Sequence, residues 1–170
     1  MRLVSLNMVP AVEVFREHAE ASGQRFDPDD PIPFFLHNVL GLETGQGHKL
    51  RVPLGVQRDG SVLCAADIPT GAIVYIMGAS AGSAIEAASA ATRDAVQQLG
   101  SHQPGVALFF DCVATRLRLG EEFGAELDSL ARIISPAAYA GCNTYGQIAR
   151  AEGQFGGFHN CTAVVCVMPA

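Results

Sequence analysis

The sequence has no tryptophan and few charged side chains, which make up 16% of its residues. The 11 basic residues are scattered and outnumbered by 17 acidic ones, so the net charge is -6 and no basic stripe is available for a nucleic-acid backbone. No apolar run approaches the roughly 18 residues of a membrane-spanning helix, and the start of the chain lacks the cleavage signal of a secretory peptide. These absences predict a cytoplasmic protein with neither nucleic acid nor a membrane as partner.

The cysteines show no C-x-x-C spacing and are odd in number, so neither a disulfide framework nor a structural zinc site is favoured. The five histidines also lack ligand spacing, and we expect no bound metal. We interpret the cysteines as reduced, mostly buried small hydrophobic side chains. They are Cys64, Cys112, Cys142, Cys161 and Cys166.

Apolar residues make up 49% of the 170 positions, enough for one sizeable core, and the chain shows no repeat and no linker. We therefore predict a single domain over residues 1–170. Apolar residues at helical spacing predict helices over 10–22, about 80–99 and 121–134, and a proline-rich loop is expected over 24–33. Apolar runs between turn signals predict strands at residues 2–7, 34–39, 49–54, 61–67, 72–77, 105–113, 138–148 and 159–168.

This order of elements predicts an α+β fold, with a mixed-sheet α/β domain as the alternative. A mostly antiparallel or mixed sheet would carry about three helices. The Asp59-Gly60 pair between two apolar runs is typical of a tight hairpin. If the strands over 138–148 and 159–168 pair as neighbours, the polar residues between them converge at one end of the sheet.

One possible catalytic motif is the segment G-A-S-A-G at residues 78–82, which matches the G-x-S-x-G turn of serine hydrolases between a strand and a helix. Asp111 and His159 follow in the order of that triad. We favour a simpler interpretation, in which Ser80 caps the following helix, because a segment rich in Ala, Gly and Ser matches this pattern easily by chance. A hydrolase with a Ser80, Asp111 and His159 triad stays the alternative hypothesis.

A second motif occupies the C-terminal part of the chain. The run A-L-F-F-D-C-V-A-T-R-L-R-L-G, followed by A-G-C-N-T-Y-G-Q-I and by F-H-N-C-T-A-V-V-C-V-M-P, resembles the C-terminal domain of the FIST family. Ala114-Thr115 stands where the family usually has Gly-Arg, although Arg116 is adjacent, and Gln147 replaces an acid. The matching positions are Cys112, Gly141, Thr144, Tyr145, Gly146, Ile148, His159, Asn160 and Thr162.

The resemblance implies a sensory domain without enzymatic activity, which binds a small ligand such as an amino acid and passes the signal to a kinase, cyclase or methyl-accepting partner. Some family members look like haem-based gas sensors, so haem is a minority alternative to a protein without a cofactor. Hydroxyl, amide, imidazole and guanidinium groups suit a small polar ligand. The expected ligand-binding residues are Thr144, Tyr145, His159, Asn160, Arg116 and Cys112.

The resemblance also implies a partner, because family members generally carry an N-terminal FIST half and a signalling output module. The sequence contains neither of these, so we interpret it as a stand-alone ligand-binding part or a fragment. We expect an apolar surface near Phe155 and Phe158 that either the N-terminal half or a second copy in a homodimer would cover.

Overall fold

The structure is a computed structural model that describes residues 1–45, 47–149 and 157–170. These residues form two compact units, Met1–Ala79 and Ser80–Ala170, which combine helices with antiparallel and mixed sheets. The predicted α+β fold class is therefore confirmed. The extent of the domain, predicted as one over residues 1–170, stays a prediction.

The first unit consists of short antiparallel strands and two helices around a core that includes Phe15, Phe35 and Leu40. The elements are β1 Arg2–Leu3, β2 Ser5–Leu6, β3 Val9–Pro10, α1 Ala11–Ser22, α2 Ile32–Phe35, β4 Asn38–Thr44, β5 Gly47–Arg51, β6 Pro53–Val56, β7 Val62–Cys64 and β8 Val74–Gly78. The strands form sheets with the orders β1-β7-β6, β5-β4-β8 and β2-β3.

The second unit has a central strand, β9 (Pro104–Cys112), with a parallel neighbour on one side and an antiparallel neighbour on the other. Phe109 of this strand packs with Leu130 and Ile134 of helix α5 (Phe123–Ile134), which places a helical layer against one face of the sheet. The elements are α3 Ala81–Gln97, β9 Pro104–Cys112, α4 Val113–Leu119, a 3-10 turn Gly120–Glu122, α5 Phe123–Ile134, β10 Ala138–Thr144, β11 Gln147–Ala149, β12 Gly157–His159 and β13 Val164–Pro169.

The three predicted helices are present as α1, α3 and α5, and two short helices, α2 and α4, occur in addition. Helix α2 lies where the proline-rich loop and a strand were predicted to meet. Pro33 is tolerated there because it occupies the first turn of the helix, where its missing N–H needs no partner. The strand predicted over 2–7 is interrupted, and Asn7 and Met8, both with positive φ, form the turn of the β2-β3 hairpin.

The two C-terminal segments, 138–148 and 159–168, pair only through the short strands β11 and β12, where Gln147 lies opposite His159. Strand β9 lies between β10 and β13, and the continuous strand predicted over 138–148 is divided into β10 and β11. Helices α4 and α5 form the crossover from β9 to β10, and such a crossover makes the two strands parallel neighbours.

Candidate functional site

The candidate site lies at the carboxyl end of strand β9. Because β9 and β10 are parallel, their carboxyl ends meet at one edge of the sheet, where Thr144 is the register partner of Cys112. Strand β13 begins on the other side, with Val164 opposite Phe110, so the segment that precedes it approaches the same edge. The structure therefore gathers Cys112 and Thr144 at this edge, by a pairing different from the one expected.

Gln147, which replaces an acid of the family pattern, links Thr144 to His159. The Thr144 hydroxyl donates to the Gly146 carbonyl at 3.1 Å and accepts from Nε2 of Gln147 at 2.8 Å. Gln147 is also the register partner of His159 in the β11-β12 hairpin. The orientation of the Thr144 hydroxyl is thus set by one donor and one acceptor.

His159 and Asn160 are both buried, with exposed fractions of 9% and 1%. Nε2 of His159 lies 3.3 Å from the Ala149 carbonyl, so this nitrogen carries the proton of that hydrogen bond. Nδ2 of Asn160 donates to the His159 carbonyl at 3.3 Å. Within the described ranges, Oδ1 of Asn160 and Oε1 of Gln147 are buried and have no hydrogen-bond partner.

Two further predicted site residues, Tyr145 and Arg116, have surroundings that differ from those of Thr144 and His159. Tyr145 is 87% exposed. Arg116 donates through Nη1 to the Gly120 carbonyl at 2.7 Å, and its guanidinium lies 4.9 Å from the centre of the Phe123 ring. These contacts give Arg116 a local role at the end of α4, and its role in ligand binding stays a prediction.

A pair of carboxyl groups is buried beside the predicted site. Asp111 precedes Cys112 in β9, Glu126 lies in α5, and each is 1% exposed. Burial raises the pKa of Asp111 to about 7, while the Cys112 backbone and the Arg118 charge act in the opposite direction. Burial raises the pKa of Glu126 to about 8, with a further increase from the charge of Asp111 and a decrease from Arg118.

Two of the residues in this neighbourhood could have been found in the sequence. Asp111 is a carboxylate within a continuous apolar strand, which is a costly position for a charge. Glu126 stands four and eight residues before Leu130 and Ile134, so it lies on the apolar face of its own helix. Both positions indicate buried carboxyl groups. Arg118 had no comparable signal, because only the folded chain brings its charge to Asp111 and Glu126.

The three residues of the hypothetical hydrolase triad have separate contacts. The Ser80 hydroxyl accepts from the Ser83 backbone N–H at 3.1 Å in a reciprocal cap of helix α3. Neither carboxylate oxygen of Asp111 has a partner of good hydrogen-bond geometry in the described part of the chain, and Nε2 of His159 contacts the Ala149 carbonyl. Ser80 therefore caps helix α3, as the sequence predicted.

The surface expected near Phe155 and Phe158 can be described only in part. Phe158 is 37% exposed and its ring packs over Gly146, where a side chain would collide with it. Its strand partner Ile148 is 84% exposed. Phe155 lies outside the described residues, and the interface expected here stays a prediction.

Over residues 1–45, 47–149 and 157–170, no group of three or more His, Cys, Asp or Glu side chains is placed to hold a metal ion. None of the helices in these ranges combines the length and the apolar character that crossing a bilayer requires.

A comparison with protein families gives the affiliation of the chain. The model of the FIST C domain matches residues 11–150, most of the sequence. The chain belongs to the FIST C domain family. This confirms the resemblance, and the family is one of sensory domains, consistent with a role in signal transduction. His159 and Asn160 lie beyond the matched residues. No curated protein and no solved structure matched the chain.

Proposed function

We propose that this FIST C domain is a non-enzymatic sensor that binds a small polar ligand at the carboxyl end of β9. The observation that carries the proposal is the pair of buried amide oxygens, Oδ1 of Asn160 and Oε1 of Gln147, that have no partner among the described residues. Leaving such an acceptor unpaired costs about 1–3 kcal/mol, so a ligand that donates to it would bind favourably. The bound domain would signal to an N-terminal FIST half or an output module.

The chemistry of these groups selects the class of ligand. Two amide oxygens accept hydrogen bonds, so the ligand must carry N–H donors, which an ammonium group supplies. Arg118 adds a positive charge, which attracts a carboxylate. An ammonium group and a carboxylate on one small molecule, as in an amino acid, meet both requirements.

The experiment is a thermal-shift screen of the purified chain with three sets of compounds of matched size: free amino acids, the corresponding amines and the corresponding carboxylic acids. We expect saturable stabilisation by one or more amino acids, a smaller shift with the amines and none with the acids. The variant Gln147→Met removes the amide at nearly constant volume. It should weaken the binding of the stabilising amino acid about tenfold, since one charge-assisted hydrogen bond is lost.

The matched control is Gln97→Met, the same chemical change at an exposed position in helix α3. It should leave the ligand affinity unchanged. The proposal fails if no compound of the three sets stabilises the wild-type chain. The site assignment fails if Gln147→Met and wild type bind the ligand equally.

A further inference from the structure

Two of the five cysteines contact each other at the end of β9. Cys112 is the last residue of this strand, and Cys161 lies three residues before β13, the strand on the other side of it. Strand β13 is antiparallel to β9 with Val164 opposite Phe110, so the segment before Val164 runs past Cys112, and a hydrogen bond from the Cys161 thiol is the largest effect that lowers the pKa of Cys112. Cys112 is 2% exposed and Cys161 is partly exposed, so Cys161 forms the solvent-facing side of the pair.

The surroundings of Cys112 favour its thiolate. The backbone N–H groups of Ala114 and Thr115 hydrogen-bond to the sulfur in addition to the Cys161 thiol, and together they hold the pKa of Cys112 below its usual range despite burial. The hydrogen bond to Cys112 and burial raise the pKa of Cys161, which therefore remains the proton donor of the pair. Arg118 adds a positive charge beside Cys161.

Cys64, in the other unit, provides an internal comparison. It is 4% exposed, nearly as buried as Cys112. Burial raises the pKa of Cys64 to about 11, and the positive charges of the N-terminus and Arg51 offset only a part of this effect. Burial alone thus makes a cysteine of this chain less acidic, and the lower pKa of Cys112 comes from the groups that point at its sulfur.

We propose that Cys112 and Cys161 form a redox-active thiol pair that a hydroperoxide converts into an intramolecular disulfide. The Cys112 thiolate donates an electron pair to the terminal oxygen of the hydroperoxide, the O–O bond breaks, and the alkoxide leaves and takes up a proton. Cys112 is then a sulfenic acid. The sulfur of Cys161 attacks it, the S–O bond breaks, and water leaves with the proton of Cys161. Overall, two thiols and one hydroperoxide give a disulfide, an alcohol and water, with two electrons transferred.

The experiment treats the reduced chain with hydrogen peroxide and follows each cysteine by mass spectrometry of a digest made without reductant. We expect a loss of two hydrogens from the intact chain and a cross-linked peptide that joins Cys112 to Cys161. Oxidation of Cys112 should be faster than that of Cys64 by about tenfold or more, since the thiolate is the reactive form. In Cys161→Ser, the sulfenic acid of Cys112 should accumulate and react with dimedone.

The exposed Cys142 and Cys166 serve as controls, and Cys142→Ser and Cys166→Ser should leave the cross-link unchanged. Alkylation of Cys112 by iodoacetamide should also reach half of its maximal rate at a lower pH than alkylation of Cys64. Oxidation of Cys112 no faster than that of Cys64 would overturn the proposal. So would a disulfide that joins other cysteines in place of this pair. The outcome is independent of ligand binding, because no ligand is added.

Discussion

The carboxyl group of Asp111 in strand β9 opposes ionisation of the carboxyl group of Glu126 in helix α5. Each residue is 1% exposed, and the charge of Asp111 adds to the effect of burial on Glu126. Arg118 is a positive charge that acts on both, and it lowers each pKa by less than burial raises it. The unit therefore contains two buried acids whose pKa values, about 7 and about 8, lie near neutral pH.

This pair makes the stability of the protein depend on pH. The pKa of Glu126 rises from 4.5 to about 8 on folding, so its contribution is fully present below pH 4.5 and is lost as the pH rises through 8. We expect the free energy of unfolding to fall between pH 5 and pH 9. Glu126→Gln should reduce this slope and be more stable than wild type at pH 9, by on the order of 2 kcal/mol.

Urea unfolding at pH 5, 7 and 9 measures this effect. Asp128→Asn, an equivalent charge removal at an exposed position of the same helix, serves as the control and should leave the slope unchanged. Equal slopes for wild type and Glu126→Gln would contradict the assignment of a buried, protonated Glu126.

A second prediction concerns Gly141 in strand β10. A Cβ atom at this position would overlap the backbone carbonyl of Phe109 in the neighbouring strand, and β9 cannot move aside because β13 holds its other edge. We expect Gly141→Ala to lower the free energy of unfolding by roughly 3 kcal/mol or more. Gly124→Ala, in helix α5 where a Cβ meets no neighbour, should be neutral or stabilising by about 0.5–1 kcal/mol. Equal effects of the two variants in urea unfolding would show that the close approach is absent.

A third prediction tests whether Ser80 serves as a helix cap or as a nucleophile. Ser80→Ala should cost about 1 kcal/mol of stability, since its hydroxyl accepts from the Ser83 N–H in the cap of α3. Ser101→Ala, at an exposed turn position, should change the stability by less than about 0.5 kcal/mol. We expect no labelling of wild-type Ser80 by a fluorophosphonate, measured by mass spectrometry. Stoichiometric labelling would support the hydrolase alternative.

The hydrogen bond between Thr144 and Gln147 can be measured by a double-mutant cycle. Thr144→Val should cost about 1–2 kcal/mol because Nε2 of Gln147 then loses its acceptor. The same change in a Gln147→Met background should cost less, with a coupling energy of about 1 kcal/mol. Thr92→Val removes a hydroxyl that donates a hydrogen bond to the Ala88 carbonyl. Its effect on the free energy of unfolding should simply add to that of Gln147→Met. A coupling energy near zero for Thr144 would indicate that the hydrogen bond is not formed in solution.

The helices of the protein could be predicted well because their signals are local. Helix α1 ends where Gly23 adopts the left-handed conformation, and α3 begins at the capping residue Ser80. The hairpin at Asp59-Gly60 is also present, with Gly60 at positive φ and the Asp59 carboxylate accepting from Ser61. In each case, residues within a few positions of one another determine the conformation.

The candidate site could be predicted only in part. Cys112 and Thr144 meet at one edge of the sheet, although the pairing that brings them together was not the one expected. Arg116 was selected by its place in the motif, whereas Arg118 is the arginine whose charge acts on Asp111, Glu126 and Cys161. Motif spacing does not tell which of two neighbouring arginines points to a given group, since the direction depends on the packing of α4.

The sequence by itself determined the α+β class, the three longer helices and the membership of the FIST C family, because periodicity, capping residues and motifs are properties of nearby positions. Only the tertiary structure decided that β9 separates β10 from β13, and that Asp111 lies close enough to Glu126, and Cys161 close enough to Cys112, to shift the pKa of that neighbour. These relationships join residues from 15 positions apart, for Asp111 and Glu126, to 65 positions apart, for Pro104 and Pro169. Strand pairing and helix packing, which bring distant positions together, depend on the burial of the whole core and leave no local pattern in the chain.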